Sequence, residues 1–453
     1  MDQVRFRTRL LEFLRKIGLR GTDDDLVPRS QIMLLGGNPL PIRVAAHALE
    51  PTTLILITTP QVGSATLTAL YNQLERVLPD CRIEVRTLEH AFWRDEIFRV
   101  LKAATSELLS SGRPIGLHYT GGTKVMAAQS LAWWNENHPA EPRPIYRCTY
   151  LDGAEDALVF DGLSGKLSLR ELPVSLEDIM ALHGLVIKGR KTDVPHPELV
   201  HDIHRVAIQE QRWDDYLKTL PSTLPCTVVV PANLVRSDLA GELQLDECRA
   251  KHPSNFKRRA YNNWDFTPLS ELCPTVPKGS SLRTLLPFQN KPEKAAEYLL
   301  TGWFEEWFYE RLRRATPPER FELYRNVEVT MGNRLSELDL VGVYGHTPFL
   351  FSCTTISRPA AAKHKAMEAF TRTVQLGGEM ARYVMAFWGD SNEALLTLWD
   401  ELASHWDGPD SFRVLGLPHY RGEAGVTHRD GARPVMETLD ELVRGWLLAD
   451  GQP

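Results

Sequence analysis

The sequence of 453 residues has room for roughly two to four domains, at about 150 residues per domain. Hydrophobic residues make up 43% and charged residues 24%, which excludes a collagenous or largely disordered chain. The net charge of −6 excludes binding to nucleic acid through overall positive charge but leaves room for a local basic groove. No apolar run approaches the roughly 20 residues that cross a membrane, and the six cysteines lack metal-binding spacing. These features predict a cytoplasmic protein without membrane contact or cysteine-bound zinc.

The first part of the chain alternates between strand-like and helix-like segments. An arginine-rich amphipathic helix is predicted within an N-terminal extension, residues 1–29. Short apolar runs then predict buried strands at 31–35, 53–58, 82–88, 114–119 and 145–150. Helical stretches lie between them, near 42–49, 64–77, 91–110 and 123–137. This alternation predicts a parallel, doubly wound α/β domain over 30–180, closed by a hairpin near 159–169.

The remaining chain changes in texture twice. Residues 181–292 are rich in proline, histidine and charge, which favours a small connecting domain, helical or mixed. A long helix is predicted from 293, continuing through 301–314. Three strands at 321–329, 335–344 and 348–353, a helix at 361–376 and a strand at 382–389 follow it. This order predicts a second α/β domain over 293–453.

Two glycine-rich turns form a candidate ligand site in the first domain. Leu-Gly-Gly-Asn-Pro at 35–39 follows the first strand, and Tyr-Thr-Gly-Gly-Thr-Lys at 119–124 follows a later strand and opens a helix. Ligands of open α/β sheets bind beyond the carboxyl ends of the strands, and free N–H groups at a helix start can hold phosphate. Tight turns that need glycine for geometry alone are the alternative. Lys124 follows Thr123 rather than a glycine, which argues against a P-loop.

The segments LLGGNPLPIRVAAHALEPTTLILITTP (34–60) and LHYTGGTKVMAAQ (117–129) together resemble the CARF domain of CRISPR-associated ancillary effectors. The resemblance implies a Rossmann-like fold and a homodimer that binds a cyclic oligoadenylate across its two-fold axis. Cyclic tetra-adenylate is the activator that the resemblance favours. It assigns the ligand contacts to Gly36, Gly37, Asn38, Thr59, Thr120, Gly121, Gly122, Thr123, Lys124 and Met126.

The segments 301–312, 333–355 and 368–387 resemble the restriction-endonuclease-like, or PD-(D/E)XK, module found behind CARF domains. In that family a helix glutamate, a strand aspartate and a Glu-x-Lys tripeptide surround Mg²⁺ or Mn²⁺. The resemblance assigns the helix glutamate to Glu305 or Glu306, the strand aspartate to Asp339 with Glu337 nearby, and the metal ligands to Asp339 and Glu306.

The tripeptide itself departs from the family pattern, because Ser352-Cys353-Thr354 stands in its place. The domain is then a pseudo-nuclease, or a nuclease whose missing groups have moved, or a site for unrelated chemistry or nucleic-acid binding. Lys363 and Lys365 are the candidate replacements for the lysine, and Glu368 or Glu379 for the carboxylate. A solvated helix face is the alternative interpretation of the two lysines.

The resemblances together imply a cyclic-oligoadenylate-responsive effector of type III CRISPR antiviral defence. If the missing tripeptide is compensated, the C-terminal module is a metal-dependent endonuclease that acts on DNA or RNA. The alternatives are a catalytically inactive sensor or scaffold that binds nucleic acid or a protein, and a ring nuclease that degrades the messenger.

Overall fold

A computed structural model describes residues 3–110, 114–137, 146–153, 155–163, 165–220, 266–280, 282–286, 292–332, 334–405 and 409–448. Residues 221–265, which belong to the predicted connecting domain, lie outside this described part. No helix of the described residues is long and apolar enough to span a bilayer.

The first α/β unit carries a seven-stranded sheet. Its helices are α1 (Gln3–Lys16), α2 (Asp23–Leu26), α3 (Leu40–Leu49), α4 (Ser64–Val77), α5 (Arg94–Leu109), α6 (Lys124–Asn137) and α7 (Leu176–Leu182). Its strands are β1 (Ser30–Leu34), β2 (Thr53–Thr58), β3 (Arg82–Thr87), β4 (Ile115–His118), β5 (Tyr146–Asp152), β6 (Ala157–Phe160) and β7 (Lys166–Ser168). The elements agree with the predicted order of strands and helices.

The strand order β3-β2-β1-β4-β5-β6-β7 is Rossmann-like, with β1 to β5 parallel and a closing antiparallel hairpin of β6 and β7. Every residue of β1 and β4 is buried, which explains why apolar residues dominate both strands despite Ser30, Gln31 and His118. Successive crossovers change direction between β1 and β4, and this switch point is where open α/β sheets bind ligands. The predicted parallel α/β class is confirmed.

The second sheet belongs to the C-terminal half of the chain. Its elements are β8 (Val186–Lys191), α8 (Pro197–His204), α9 (Trp213–Thr219), α10 (Thr267–Leu272), α11 (Leu282–Leu285), α12 (Pro292–Glu297), α13 (Trp303–Ala315), β9 (Phe321–Met331), β10 (Arg334–Tyr344), β11 (Thr347–Cys353), α14 (Pro359–Gly377), β12 (Arg382–Ala386), α15 (Asn392–Ala403), β13 (Phe412–Leu415), α16 (Leu417–Tyr420), β14 (Gly425–Asp430), β15 (Arg433–Glu437) and α17 (Leu439–Leu442). π-Helical turns follow α8, α12 and α17.

This sheet has the order β13-β12-β11-β10-β9-β8 and is mixed. Strands β11, β12 and β13 are parallel, whereas β8, β9, β10 and β11 pair antiparallel. The edge strand β8 comes from the stretch for which the sequence predicts a connecting domain, and α8 packs on α13. The predicted boundary at 293 stays a prediction, but the described residues on its N-terminal side contribute to the second sheet.

One hydrophobic core joins the two sheets. It contains Met33 of β1, Ile42 of α3 and, from the second sheet, Val341 and Met385. All ten residues of α3 are buried, because this helix lies in that shared core. Separate clusters cover the opposite faces, one under α5 and α6 and one under α13. The two sheets are therefore packed against each other along an apolar interface.

A buried ionic cluster also crosses between the sheets. The Asp156 carboxylate lies 3.2 Å from the Arg170 guanidinium and 3.8 Å from that of Arg382. Asp156 precedes β6, whereas Arg382 begins β12 and donates to the carbonyl of Gly153. Burial lowers the pKa of Arg382, and the charge of Asp156 opposes that shift. The cluster ties the hairpin end of the first sheet to the second sheet.

Candidate functional site

The two predicted glycine turns lie against each other beyond the adjacent ends of β1 and β4. A Cβ atom on Gly36 would lie 2.8 Å from the backbone nitrogen of Gly122, and one on Gly121 would overlap the carbonyl of Leu34. Gly122 also has a φ of +80°, in the left-handed region that favours glycine. Glycine is therefore required here because two backbones approach closely, and this packing brings both motifs to one edge of the sheet.

Threonine hydroxyls hold the second turn in place. Thr123 Oγ1 accepts a hydrogen bond of 3.1 Å from the N–H of Met126 in the first turn of α6, and Thr120 Oγ1 accepts one from the N–H of Leu151. Both hydroxyls therefore accept hydrogen bonds from the protein backbone and stabilise the turn. The side chain of Thr123 and that of Lys124 beside it are exposed.

The remaining predicted ligand contacts differ in their exposure. Gly37 is exposed and Asn38 is half-buried, so both reach the surface at the turn after β1. Thr59 is buried directly after β2. Met126 is fully buried in the core below the second turn, close to where a side chain on Gly122 would lie. Met126 thus supports the turn from inside, and its placement does not favour the contact with a ligand that the resemblance assigns to it.

At this edge the start of the 14-residue helix α6 lies beside the second turn, and Lys124 is its first residue. A helix start favours phosphate because its first N–H groups have no carbonyl partner within the helix and the helix dipole is positive there. The neighbouring His118 adds no charge, since burial lowers its pKa to about 3. Backbone donors and one exposed cation are thus presented together.

Asn38 connects this edge to the second sheet. Its Oδ1 accepts from the N–H of Leu40 at 3.1 Å, which fixes the start of α3. Its Nδ2 donates to the carbonyl of Gly377 at 2.9 Å, at the last residue of α14. The side chain that was predicted to touch a ligand is therefore also bonded to the C-terminal unit.

A second site is built around Asp339 of β10. Its Oδ2 accepts from the N–H of Cys353 at 2.8 Å and from the hydroxyl of Ser352 at 3.3 Å, both on β11. The Lys365 ammonium, on α14, lies 2.8 Å from the same oxygen and donates to the carbonyl of Cys353. A lysine from the helix thus lies beside the aspartate, whereas Thr354, directly after β11, supplies no ammonium.

Of the two candidate helix glutamates, Glu305 is the one close enough to Asp339 and Lys365 for their charges to act on it. Burial raises the pKa of Glu305 well above its usual range, and the nearby charge of Asp339 adds to the shift while Lys365 opposes it. Burial disfavours the charge on Lys365, but Asp339 and Glu305 outweigh that effect and raise its pKa. Lys365 therefore stays an ammonium ion between two carboxyl groups.

Glu306 faces a different environment. Its carboxylate lies 3.0 Å from the Arg325 guanidinium, and both side chains are about 4% exposed. It also accepts from the hydroxyl of Tyr298 at 2.7 Å. These contacts make Glu306 part of a buried ion pair between α13 and β9, and they do not favour the predicted role of a metal ligand.

The other predicted polar residues surround the site or lie away from it. Glu337 accepts from the Asn326 side chain at 2.7 Å, on the rim of a small cavity of about 40 Å³ beside Asp339 and Lys365. Lys363 lies 3.8 Å from Glu401 instead of entering the cavity. Glu379 has a side chain outside the described part of the structure.

Arg372 is a cavity residue that the sequence analysis missed. Glu368 and Arg372 line the cavity with Lys365, and the Arg372 guanidinium donates to the carbonyl of Glu337 at 2.7 Å. The positions 365, 368 and 372 are three and seven residues apart, so they share one face of α14. That spacing is the signal that could have identified Arg372.

The residues around Asp339 fit one hard metal ion. Oxygen ligands suited to Mg²⁺ or Mn²⁺ are present in the carboxylates of Glu305 and Asp339 and the carbonyl of Cys353. No group of three or more His, Cys, Asp or Glu side chains suited to a metal occurs in the described ranges. Ser352 stands where the resemblance predicts a third carboxylate. Water would have to supply the remaining ligands, as Mg²⁺ commonly requires.

Comparison with known proteins identifies the fold. No protein-family model matches the chain, and no curated protein matches it significantly. Can2 from Sulfobacillus thermosulfidooxidans, solved in complex with cyclic tetra-adenylate, is similar with a TM-score of 0.55 and 17% identity over 86% of this chain and 96% of Can2. Protein VC1899 from Vibrio cholerae is similar with a TM-score of 0.55 and 12% identity over 86% of this chain and 94% of VC1899. The similarity covers most of each chain, and at these identities it shows a shared fold.

Proposed function

We propose that this protein is a cyclic-oligoadenylate-responsive effector of type III CRISPR antiviral defence with a metal-dependent nuclease output. The observation that carries the proposal is the 2.8 Å pair between Lys365 and Asp339 beside Glu305. It supports the hypothesis that the lysine missing from the strand tripeptide has been replaced from a helix. The substrate class is DNA or RNA.

The sensor is the edge formed by the two glycine turns. Close backbone packing there, the N-terminus of α6 and the exposed Lys124 suit a ligand that carries several phosphates. A homodimer would present this edge twice around a two-fold axis, matching the symmetry of a cyclic oligonucleotide. The shared fold with Can2, which was solved with cyclic tetra-adenylate, and the motif resemblance support that ring as the activator.

In the nuclease, Glu305, Asp339 and the carbonyl of Cys353 would hold Mg²⁺ or Mn²⁺. When bound, that ion supplies Lewis-acid stabilisation of charge on the phosphate. Lys365 keeps its proton because its pKa is raised, so it orients the attacking water and stabilises negative charge rather than removing a proton. Arg372, on the same face of α14, binds a neighbouring phosphate of the nucleic acid.

The test incubates the protein with supercoiled plasmid, single-stranded DNA and RNA in Mn²⁺, with and without cyclic tetra-adenylate. We expect ligand-dependent cutting by the wild type and none by Asp339→Ala. Lys124→Glu should weaken ligand binding measured by calorimetry. Unchanged affinity in that variant would show that the pocket is misplaced.

A catalytically inactive sensor is the second candidate, favoured by Ser352 in place of a carboxylate. Ligand binding by the wild type without any cutting would support it, the nuclease fold then serving as a scaffold. Loss of the messenger over time without damage to DNA or RNA would instead indicate a ring nuclease.

A further inference from the structure

A hydrogen bond joins the turn after β1 directly to the helix that carries the candidate catalytic lysine. Asn38 Nδ2 donates to the carbonyl of Gly377, and Gly377 ends α14, on which Lys365 lies. The two residues are 339 positions apart in sequence, so the contact exists because the two sheets pack together. It joins the proposed sensor edge to the proposed nuclease site.

The backbone after α14 is shaped for this contact. Gly378 has a φ of +58°, and a Cβ atom there would collide with Asn38 Nδ2. Any residue other than glycine would push the asparagine away and strain the backbone. The contact can therefore be broken by a substitution in either unit, at Asn38 or at Gly378.

The helix can transmit a displacement from one site to the other. Lys365 precedes Gly377 by twelve residues of a continuous helix, a distance of about 18 Å at 1.5 Å per residue. Ala362, Ala366 and Leu376 bury one side of α14 in the shared core. A close-packed helix moves as a body, so a shift at its end reaches Lys365.

We propose that Asn38 is a positioning residue that couples the sensor to the nuclease, an inference that rests on the proposed function. Its bond to Gly377 holds α14 in the ligand-free position, with Lys365 against Asp339. A cyclic oligoadenylate that recruits the Asn38 amide breaks this bond and releases the end of α14. Because the bond and the ligand compete for one side chain, each weakens the other.

The test breaks the contact from the side that carries no ligand. Gly378→Ala should displace Asn38 and tighten binding of cyclic tetra-adenylate by about 2- to 10-fold, the equivalent of one hydrogen bond. Hydrogen exchange of residues 359–377 should rise without ligand and change less when ligand is added. Gly431→Ala is the matched control, since Gly431 also has a φ of +58° but nothing within 4 Å of its would-be Cβ. It should leave both measurements at wild-type values.

The outcomes separate the coupling from the proposed function. A wild type that binds no cyclic tetra-adenylate refutes the proposed function. A wild type that binds it, with equal affinities in Gly378→Ala and Gly431→Ala, refutes the coupling alone. If Gly378→Ala fails to fold, Asn38→Ser replaces it, because the serine hydroxyl can still accept from the Leu40 N–H but is too short to reach the carbonyl of Gly377. Unchanged exchange of 359–377 in ligand-free Asn38→Ser would equally overturn the proposal.

Discussion

Replacing Lys365 by methionine removes an ammonium ion but keeps most of the side-chain volume. Its partner Asp339 is 20% exposed and Lys365 itself 29% exposed, so solvent screens the pair only partly. Breaking a fully buried pair costs about 3–5 kcal/mol, and a fully exposed pair contributes less than about 1 kcal/mol. We expect Lys365→Met to lower the free energy of unfolding by about 1–3 kcal/mol, because the Asp339 carboxylate loses its ammonium partner.

The same change should have opposite effects on metal binding and on cutting. Lys365 contacts both Asp339 Oδ2 and the carbonyl of Cys353, two oxygens that a metal ion would use. We therefore expect Lys365→Met to bind Mn²⁺ more tightly in calorimetry. Ligand-activated cleavage should fall by about 100-fold or more, because a preorganised cation is lost from the reacting phosphate.

Lys363→Met is the matched control, since Lys363 lies two residues earlier on the same helix and faces Glu401. It should leave Mn²⁺ affinity and cleavage unchanged. Full cleavage by Lys365→Met, or an equal loss in both variants, would refute the assignment of Lys365 to the reaction. Weaker Mn²⁺ binding in Lys365→Met would refute the idea that its ammonium occupies the metal's oxygens.

Two further predictions concern stability. Asp156→Asn removes the carboxylate charge that Arg170 and Arg382 share. Because Arg382 is buried, the free energy of unfolding measured in urea should fall by at least about 2 kcal/mol. A decrease below about 0.5 kcal/mol would contradict this reasoning. Burial lowers the pKa of His419 to about 4. Below the usual pKa near 6.5, the unfolded chain therefore takes up a proton that the folded chain does not. The free energy of unfolding should then fall by up to about 1.4 kcal/mol per pH unit between pH 6.5 and 4. His419→Gln should reduce that slope by about one proton in unfolding measured from pH 7 to 4, and an unchanged slope would place the proton uptake elsewhere.

The first sheet could be predicted because its signals are local. A strand buried on both faces is mostly apolar, as β2 (Thr53–Thr58) is, and β2 is followed by the amphipathic helix α4. The glycines at 36, 121 and 122 were visible in the sequence for the same reason. The close contact between the two turns, which explains why these residues are glycines, depends on the pairing of β1 with β4 and could not be predicted from the local sequence.

The second sheet was predicted less completely because part of it is non-local. No residue of strand β8 (Val186–Lys191) is buried, and after Val186 and Ile187 the strand carries only lysine, glycine and arginine, so its apolar run is too short to predict a strand. It pairs with β9 far along the chain, Val186 opposite Thr330. Edge strands are often charged and short of apolar residues, which hides them from a search for hydrophobic runs. The strand β13 near the C-terminus was missed although all four of its residues are buried.

The choice between adjacent residues at the nuclease-like site was beyond sequence pattern. Glu305 and Glu306 differ by about 100° around α13, and only the position of Arg325 on β9 shows which one is held in the structural pair. Lys363 and Lys365 differ by about 200° around α14, and only the place of Asp339 shows which one enters the site. The residue types at these positions indicated the chemistry, whereas tertiary packing determines which glutamate and which lysine lie at the candidate site.

In the proposed nuclease, replacing the strand Glu-x-Lys by a helix lysine changes the total charge of the site as well as the position of the ammonium. Glu305, Asp339 and Lys365 sum to −1 with both carboxylates ionised, whereas a third carboxylate in place of Ser352 would make the sum −2. The proposed metal site would therefore attract a divalent ion less strongly, because its own ammonium neutralises more of the carboxylate charge. The backbone of a lysine on a strand is held by the hydrogen bonds of the sheet, so its ammonium would leave the aspartate only by a change of rotamer. A lysine on α14 can leave whenever the helix shifts, and the far end of that helix is bonded to Asn38.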